Sequence, residues 1–168
     1  MCTCENAPVA EPGAPAPITV EPIGVVRGGR ADPVDDHWEG VEAVIVIDDR
    51  FPPEALDGLG QFSHLDVVYR FHLVKEEDVV AGARHPRGNP DWGKVGIFAQ
   101  RARARPNRLG VSTCRILGVD GHRIAVADLD AIDGTPVLDV KPHLVEMGPR
   151  GVVRQPAWAT ELMERYWR

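Results

Sequence analysis

From Ile18 onward the sequence is a succession of short runs rich in β-branched and aromatic residues, each ended by a turn signal. ITVEPIGVVRG, from Ile18, is broken by Gly28-Gly29. VEAVIVID, Val41 to Asp48, puts Val41, Ala43, Ile45 and Ile47 on one face and Val44 and Val46 on the other, a strand covered on both sides. Further runs are Phe62 to Leu73, Val95 to Ala99, Val111 to Leu117, His122 to Leu129 and Pro136 to Lys141. Val119-Asp120-Gly121 reads as a hairpin turn. Helical patterning is confined to a turn at Pro52 to Leu56 and to Trp158 to Arg168, where Leu162, Met163 and Tyr166 share a face. Such a chain is mainly β, a barrel or closed sheet. No G-x-G-x-x-G follows a strand and no Walker-type loop is present, so a nucleotide-like ligand must be held some other way.

The 168 residues suffice for one domain with a substantial core. Residues 1–17, rich in Pro and Ala, read as a disordered tail, 18–145 as the folded domain, and 146–168 as a C-terminal extension with a short helix. The net charge of -6 argues against non-specific coating of nucleic acid. No apolar run reaches the roughly 20 residues of a membrane helix, and the N-terminus lacks the basic-then-apolar order of a secretory signal. A cytoplasmic protein without membrane contact is expected. Cys114 reads as a buried small hydrophobe. The Cys2-Thr3-Cys4 pair has no nearby partners to complete a metal site, so no metal is expected.

Against this acidic background, Arg101, Arg103, Arg105 and Arg108 crowd one loop, followed through Pro106-Asn107 to Gly110. Gathered guanidiniums repel one another, and their rigid donor fork matches carboxylate and phosphate. Two readings stay open, a solvated basic loop and an anion site. The long polar segment between Leu73 and Val95 is of the kind that serves function. Within it, His85 to Trp92 can stack a base or pack on a partner subunit. His64 reads as a core histidine, Lys141 as a partner for Asp139, and Lys75 to Asp78 as a solvated acidic face.

Four motifs occur in linked order: FSHL at Phe62 to Leu65, GIFAQR at Gly96 to Arg101, RPN-x-x-G at Arg105 to Gly110, and LD-x-x-DGTPVLDVKP from Leu129 to Pro142. Together they resemble the TrmO/TsaA-like family of S-adenosylmethionine-dependent tRNA methyltransferases. The resemblance implies a small single-sheet β-barrel with short peripheral helices and a C-terminal helix, paired as a homodimer. It implies S-adenosyl-L-methionine as cofactor and tRNA as partner. The acceptor implied is the exocyclic nitrogen of threonylcarbamoyl-adenosine beside the anticodon. Cofactor contacts carried over from the family fall on His72, Leu73, Arg101, Val111, Ala127, Asp128, Leu129 and Asp130, with a further contact about Asp35 to Trp38. Three departures stand out: Arg101 to Gly110 lacks the family's usual RS-P-x-RPN-P-I-G, His143 replaces the tyrosine of a KPY ending, and the C-terminal extension is short, so a tRNA contact made there is expected to be absent.

Methyl transfer from a sulfonium depends mostly on position and field, and an acylated acceptor nitrogen benefits from losing its proton during attack. Asp130, Asp133 and His72 are the candidate bases, with backbone carbonyls and solvent as alternatives. Asp133-Gly134 is equally an ordinary turn dipeptide that Asp130 caps, and His72 equally a surface histidine. Arg101 is placed to meet the cofactor carboxylate. Arg103, Arg105, Asn107 and Arg108 are placed toward substrate phosphate, although Asn107 also suits a purely turn-shaping role. Two other functions fit the same features: a same-fold methyltransferase acting on a small molecule, and a non-enzymatic module that binds the cofactor or RNA.

Overall fold

The computed structural model describes residue 13 and residues 16–168. Cys2 and Cys4 lie outside the described residues. Six strands close into a barrel: β1 (Gly24–Gly28), β2 (Glu42–Ile47), β3 (His64–Arg70), β6 (Leu109–Asp120), β7 (Arg123–Ala127) and β8 (Pro136–Pro142). Around the barrel the order is β1-β2-β7-β6-β3-β8, every neighbouring pair antiparallel. Closure leaves no free edge in this sheet for another chain to extend. The remaining strands, β4 (Ala83–Arg84) and β5 (Val95–Gly96), form a separate two-stranded ribbon, and the helix α1 (Ala157–Met163) lies near the C-terminus.

Alternation sets what faces inward. Ala43, Ile45 and Ile47 of β2, Leu65, Val67 and Tyr69 of β3, and Ile124 and Val126 of β7 meet in one cluster with Val26, Cys114, Leu129 and Val137. On β6 the inward positions are small: Gly110, Ser112 and Cys114 are buried while Val111, Thr113 and Arg115 face out. Gly110 pairs with Tyr69 across the β3–β6 ladder. A methyl group at Gly110 would overlap Cε2 and Cζ of the Tyr69 ring and lie 2.9 Å from its hydroxyl oxygen. The glycine is therefore what admits the ring. Tyr69 meets Phe71 edge-on at 5.4 Å between centroids. Burial, followed by the nearby Asp128 and Asp66 carboxylates, pushes the Cys114 thiol up to about 12.

The mainly β closed sheet agrees with the sequence reading, and four local expectations change. Residues 18–22 are not part of the first strand: Pro17 and Pro22 cannot donate to a ladder, and Ile18 and Val20 are exposed. Val95 to Ala99 is not a barrel strand. After β5 the chain turns tightly through Ile97–Ala99, with Ile97 buried and Phe98 exposed, while the Gln100 amide donates to Arg84 O (3.1 Å) and Val95 O (2.9 Å). His64 lies half-buried on the outward face because the β3 register sends Leu65 inward. The C-terminal helix stops at Met163, and the chain beyond it pairs with residues 37–39. The expected Lys141–Asp139 pair forms at 2.6 Å.

Gly110→Ala should cost about 2 to 3 kcal/mol by overpacking against Tyr69. Urea unfolding followed by circular dichroism measures this, and an unchanged midpoint would mean the ring is free to move aside.

Candidate active site

One rim of the barrel opens into a cavity of about 1150 Å³. Its wall combines residues following β3, the arginine loop before β6, the turn between β7 and β8, and the C-terminal segment. The size is ample for a nucleoside-sized ligand, and the mixture of aromatic surface with a few charged groups is the usual character of such sites. Among the described residues, no helix is long and apolar enough to cross a membrane.

Asp130 is the most constrained polar group in the wall. Its Oδ1 accepts hydrogen bonds from the Tyr69 hydroxyl and from Ser112 Oγ, and its Oδ2 accepts from the Tyr166 hydroxyl. Tyr69 and Ser112 also meet each other at 3.1 Å. Burial first, then the Asp130 charge, raises both tyrosine hydroxyls above their ordinary value, so each remains a proton donor to the carboxylate.

His72, Leu73, Arg101 and Val111 line the same cavity as Asp130. Arg101 donates to the Val111 carbonyl, which fixes its guanidinium at the wall. Partial burial holds the His72 imidazole below its ordinary range, opposed by Asp133. Ala127, Asp128 and Leu129 are not in the lining. Ala127 and Leu129 are buried, Leu129 within the core cluster. Asp128 accepts from Gly40 N (2.6 Å) and Arg115 Nε (2.6 Å) at a backbone φ of 69°. Asp133 accepts from Gly28 N at 2.8 Å and so fastens the β7–β8 turn to the end of β1.

Within the basic loop, Arg101, Arg103, Arg105 and Asn107 line the cavity and Arg108 does not. Arg108 donates to Val74 O (3.1 Å) and pairs with Glu76 (2.9 Å), with its own φ at 53°. Arg103 donates to Pro33 O at 2.9 Å and approaches Asp35 at 3.6 Å. Arg105 donates to Gln100 O at 3.2 Å. Arg87, from the loop before β5, pairs with Asp36 at 2.8 Å. The acidic loop at 35–36 thus offsets part of the repulsion among the arginines. Arg84, also in the lining, carries a buried Nε with no hydrogen-bond partner.

The sequence reading did not single out Tyr69, Ser112 or Tyr166 for the site. Tyr69 and Ser112 looked like ordinary members of β3 and β6, and Tyr166 like the apolar face of a helix. The available signal was the polar tip of a tyrosine at an inward strand position, which must find a partner when buried.

The sequence pattern described as the tRNA-methyltransferase O N-terminal domain matches residues 33–148. The chain belongs to this family. A probable S-adenosyl-L-methionine-binding protein of Methanothermobacter thermautotrophicus is 39% identical over 140 residues, covering 80% of this chain and 96% of that protein. The human tRNA (adenine(37)-N6)-methyltransferase is 36% identical over 105 residues, 62% of this chain but only 23% of the human one. The crystal structure of TrmO from Pseudomonas aeruginosa superposes with a TM-score of 0.69 at 27% identity, covering 85% of this chain and 62% of that one. The chain therefore matches almost the whole archaeal relative, under a quarter of the human enzyme and less than two thirds of the solved TrmO chain. Parts of three of the four motifs, at 98–101, 105–110 and 130–135, line the cavity while FSHL does not, and His143 bonds Asp66 at 3.0 Å on the outward face.

Arg115 holds Asp128 below the usual carboxylate range, with burial opposing. Burial pushes Asp66 up, but hydrogen bonds from Thr113 and His143 outweigh it and the net shift is downward. Both shifts run down from 3.8, so the stability they contribute is complete above that pH and lost as pH falls through the lower folded-state values. Asp128→Asn should reduce the acid-side loss of stability, seen as a shallower decline of unfolding free energy below pH 3.8 in urea titrations. An unaltered decline would show that Asp128 is not one of the groups responsible.

Proposed function

We propose that this protein is an S-adenosylmethionine-dependent methyltransferase whose acceptor is the exocyclic nitrogen of a threonylcarbamoyl-adenosine in tRNA. The observation carrying the reading is the single cavity wall that presents the Arg101 guanidinium and the pinned Asp130 carboxylate together with aromatic surface. A zwitterionic amino-acid moiety attached to a nucleoside needs that combination, and the unpartnered Arg84 Nε adds a buried donor seeking an acceptor. The family membership and the names borne by relatives in archaea and in humans point the same way.

When bound, the cofactor supplies a methyl group on a positively charged sulfur. Arg101 would hold its carboxylate and Asp130 its hydroxyl or ammonium group. The aromatic side chains of Trp38, Phe71 and Trp158, all in the lining, would exclude water from the reacting pair. Of the three candidate bases, His72 suits proton acceptance best. Its imidazole is kept neutral at the wall, whereas Asp130 already accepts three hydroxyl bonds and Asp133 is engaged with the Gly28 amide. Arg103 and Arg105 would meet RNA phosphate by exchanging their present carbonyl and carboxylate partners. A cytoplasmic homodimer completes the reading: the exposed Phe98, Val111 and Leu117 support the pairing, and the tRNA acceptor supports the compartment.

Purified protein given methyl-labelled S-adenosylmethionine and total tRNA lacking this methylation should place label on N6 of threonylcarbamoyl-adenosine, identified by mass spectrometry of digested nucleosides. Label appearing only in a metabolite extract would replace tRNA with a small-molecule acceptor. Arg105→Ala should weaken tRNA binding and lower the slope of log affinity against log salt by about one. An identical slope would take Arg105 off the phosphate.

A further inference from the structure

Apart from its contact with Asp130, the C-terminal segment is tied to the rest of the chain at two separated places. Backbone amides of His37, Trp38 and Glu39 donate to the carbonyls of Arg165, Tyr166 and Trp167 at 3.0, 2.9 and 2.9 Å. The Trp92 indole N–H donates to Glu161 at 2.7 Å. From the same segment, Trp158, Leu162 and Tyr166 line the cavity. The segment is not part of the barrel core: the buried core cluster lies between Val26 and Val137, and α1 has no buried residue. Its contacts are made with Trp38 and Asp130 of the cavity wall and with His37, Glu39 and Trp92 beside it.

The hydroxyl contacts on Asp130 identify what Tyr166 contributes. A carboxylate has about four acceptor positions, two on each oxygen. Tyr69 and Ser112, both from the barrel, occupy the two on Oδ1. Tyr166, from the C-terminal segment, takes one of the two on Oδ2 and leaves the other. The barrel alone would leave Oδ2 free to accept from two directions, and the tyrosine reduces this to one.

Resting on the methyltransferase reading above, we propose that residues 156–168 form a strap that closes the cofactor cavity within the same chain, and that Tyr166 is a positioning residue whose hydroxyl directs the remaining acceptor position of Asp130 Oδ2 toward S-adenosylmethionine. The strap reaches both walls of the cavity, through the 37–39 pairing on one side and Asp130 on the other. A short C-terminal extension thus has a defined task at the donor site, separate from any contact with tRNA.

Tyr166→Phe keeps the ring and removes only the donor. Binding of S-adenosylmethionine to the variant, by calorimetry and by the fluorescence of the cavity tryptophans, should weaken about tenfold, because Asp130 Oδ2 is no longer aimed to accept a charge-assisted bond from the donor. The KM for the donor should rise similarly while the KM for tRNA holds, with the variant still folded at the assay temperature by circular dichroism. Tyr166→Ala, which also opens the wall, should bind more weakly still. Equal donor affinity in the unsubstituted and Phe variants overturns the proposal, as does a rise in the KM for tRNA as large as that for the donor. Unsubstituted protein that binds no S-adenosylmethionine overturns the methyltransferase reading itself and is distinguishable from both.

Discussion

Tyr69 stands with its ring among the inward side chains of the barrel and its hydroxyl on the Asp130 carboxylate. One side chain thereby ties the packing of the core to the geometry of the cavity. The arrangement depends on the strand opposite, where Gly110 and Ser112 present no bulk to the ring and a hydroxyl to its tip. A larger residue at Gly110 displaces the ring, and a displaced ring releases the carboxylate. The polar cluster is also high-stakes in itself, because a partly satisfied group in this half-buried setting costs more than an apolar replacement.

The same logic orders the charges. Four arginines in a short loop would repel, and the fold answers by placing acidic groups and carbonyls against them: Asp35 and Pro33 O for Arg103, Gln100 O for Arg105, and Glu76 with Val74 O for Arg108. Asp36 does the same for Arg87, and Arg30 lies over the Trp38 ring at 4.6 Å. Of these, the exposed Arg103–Asp35 pair contributes little to stability by itself. The consequence of these contacts is that the guanidiniums are held in place beside one another rather than driven apart. A protein of net charge -6 can then carry a local field of the opposite sign.

Alternation in VEAVIVID was enough to place β2 and its inward residues, because a period of two leaves one face for the core, whereas β-branched and aromatic content placed β3 but not its facing, so His64 was read as core. The turn at Asp120–Gly121 likewise marked the β6–β7 hairpin. What escaped depends on contacts distant in sequence. GIFA has the composition of a strand, yet Ile97 is drawn inward by a tight turn that Gln100 braces from two carbonyls. The motif carrying Leu129 and Asp130 was legible as a site segment, but nothing local distinguishes Asp130, which reaches into the cavity, from Leu129, which packs in the core. The partner of Asp130 nearest the C-terminus, Tyr166, is 36 residues away and was indistinguishable from a helix packing residue.

Backbone strain gives an independent indication of where the fold is over-determined. Among the described non-glycine residues, His37, Arg87, Arg108 and Asp128 have positive φ, a conformation that persists only where surroundings enforce it. Each is held by side-chain bonds: His37 to the Arg168 carbonyl, Arg87 to Asp36, Arg108 to Glu76 and Val74, Asp128 to Arg115 and Gly40. Arg87 lies in the cavity wall, His37 and Arg108 immediately precede lining residues, and Asp128 is two residues before Asp130. The strained positions therefore sit where the barrel hands over to its loops. There the anchoring bonds decide the direction in which the next side chain leaves the backbone, and so fix the rim of the cavity as firmly as the strands fix its floor.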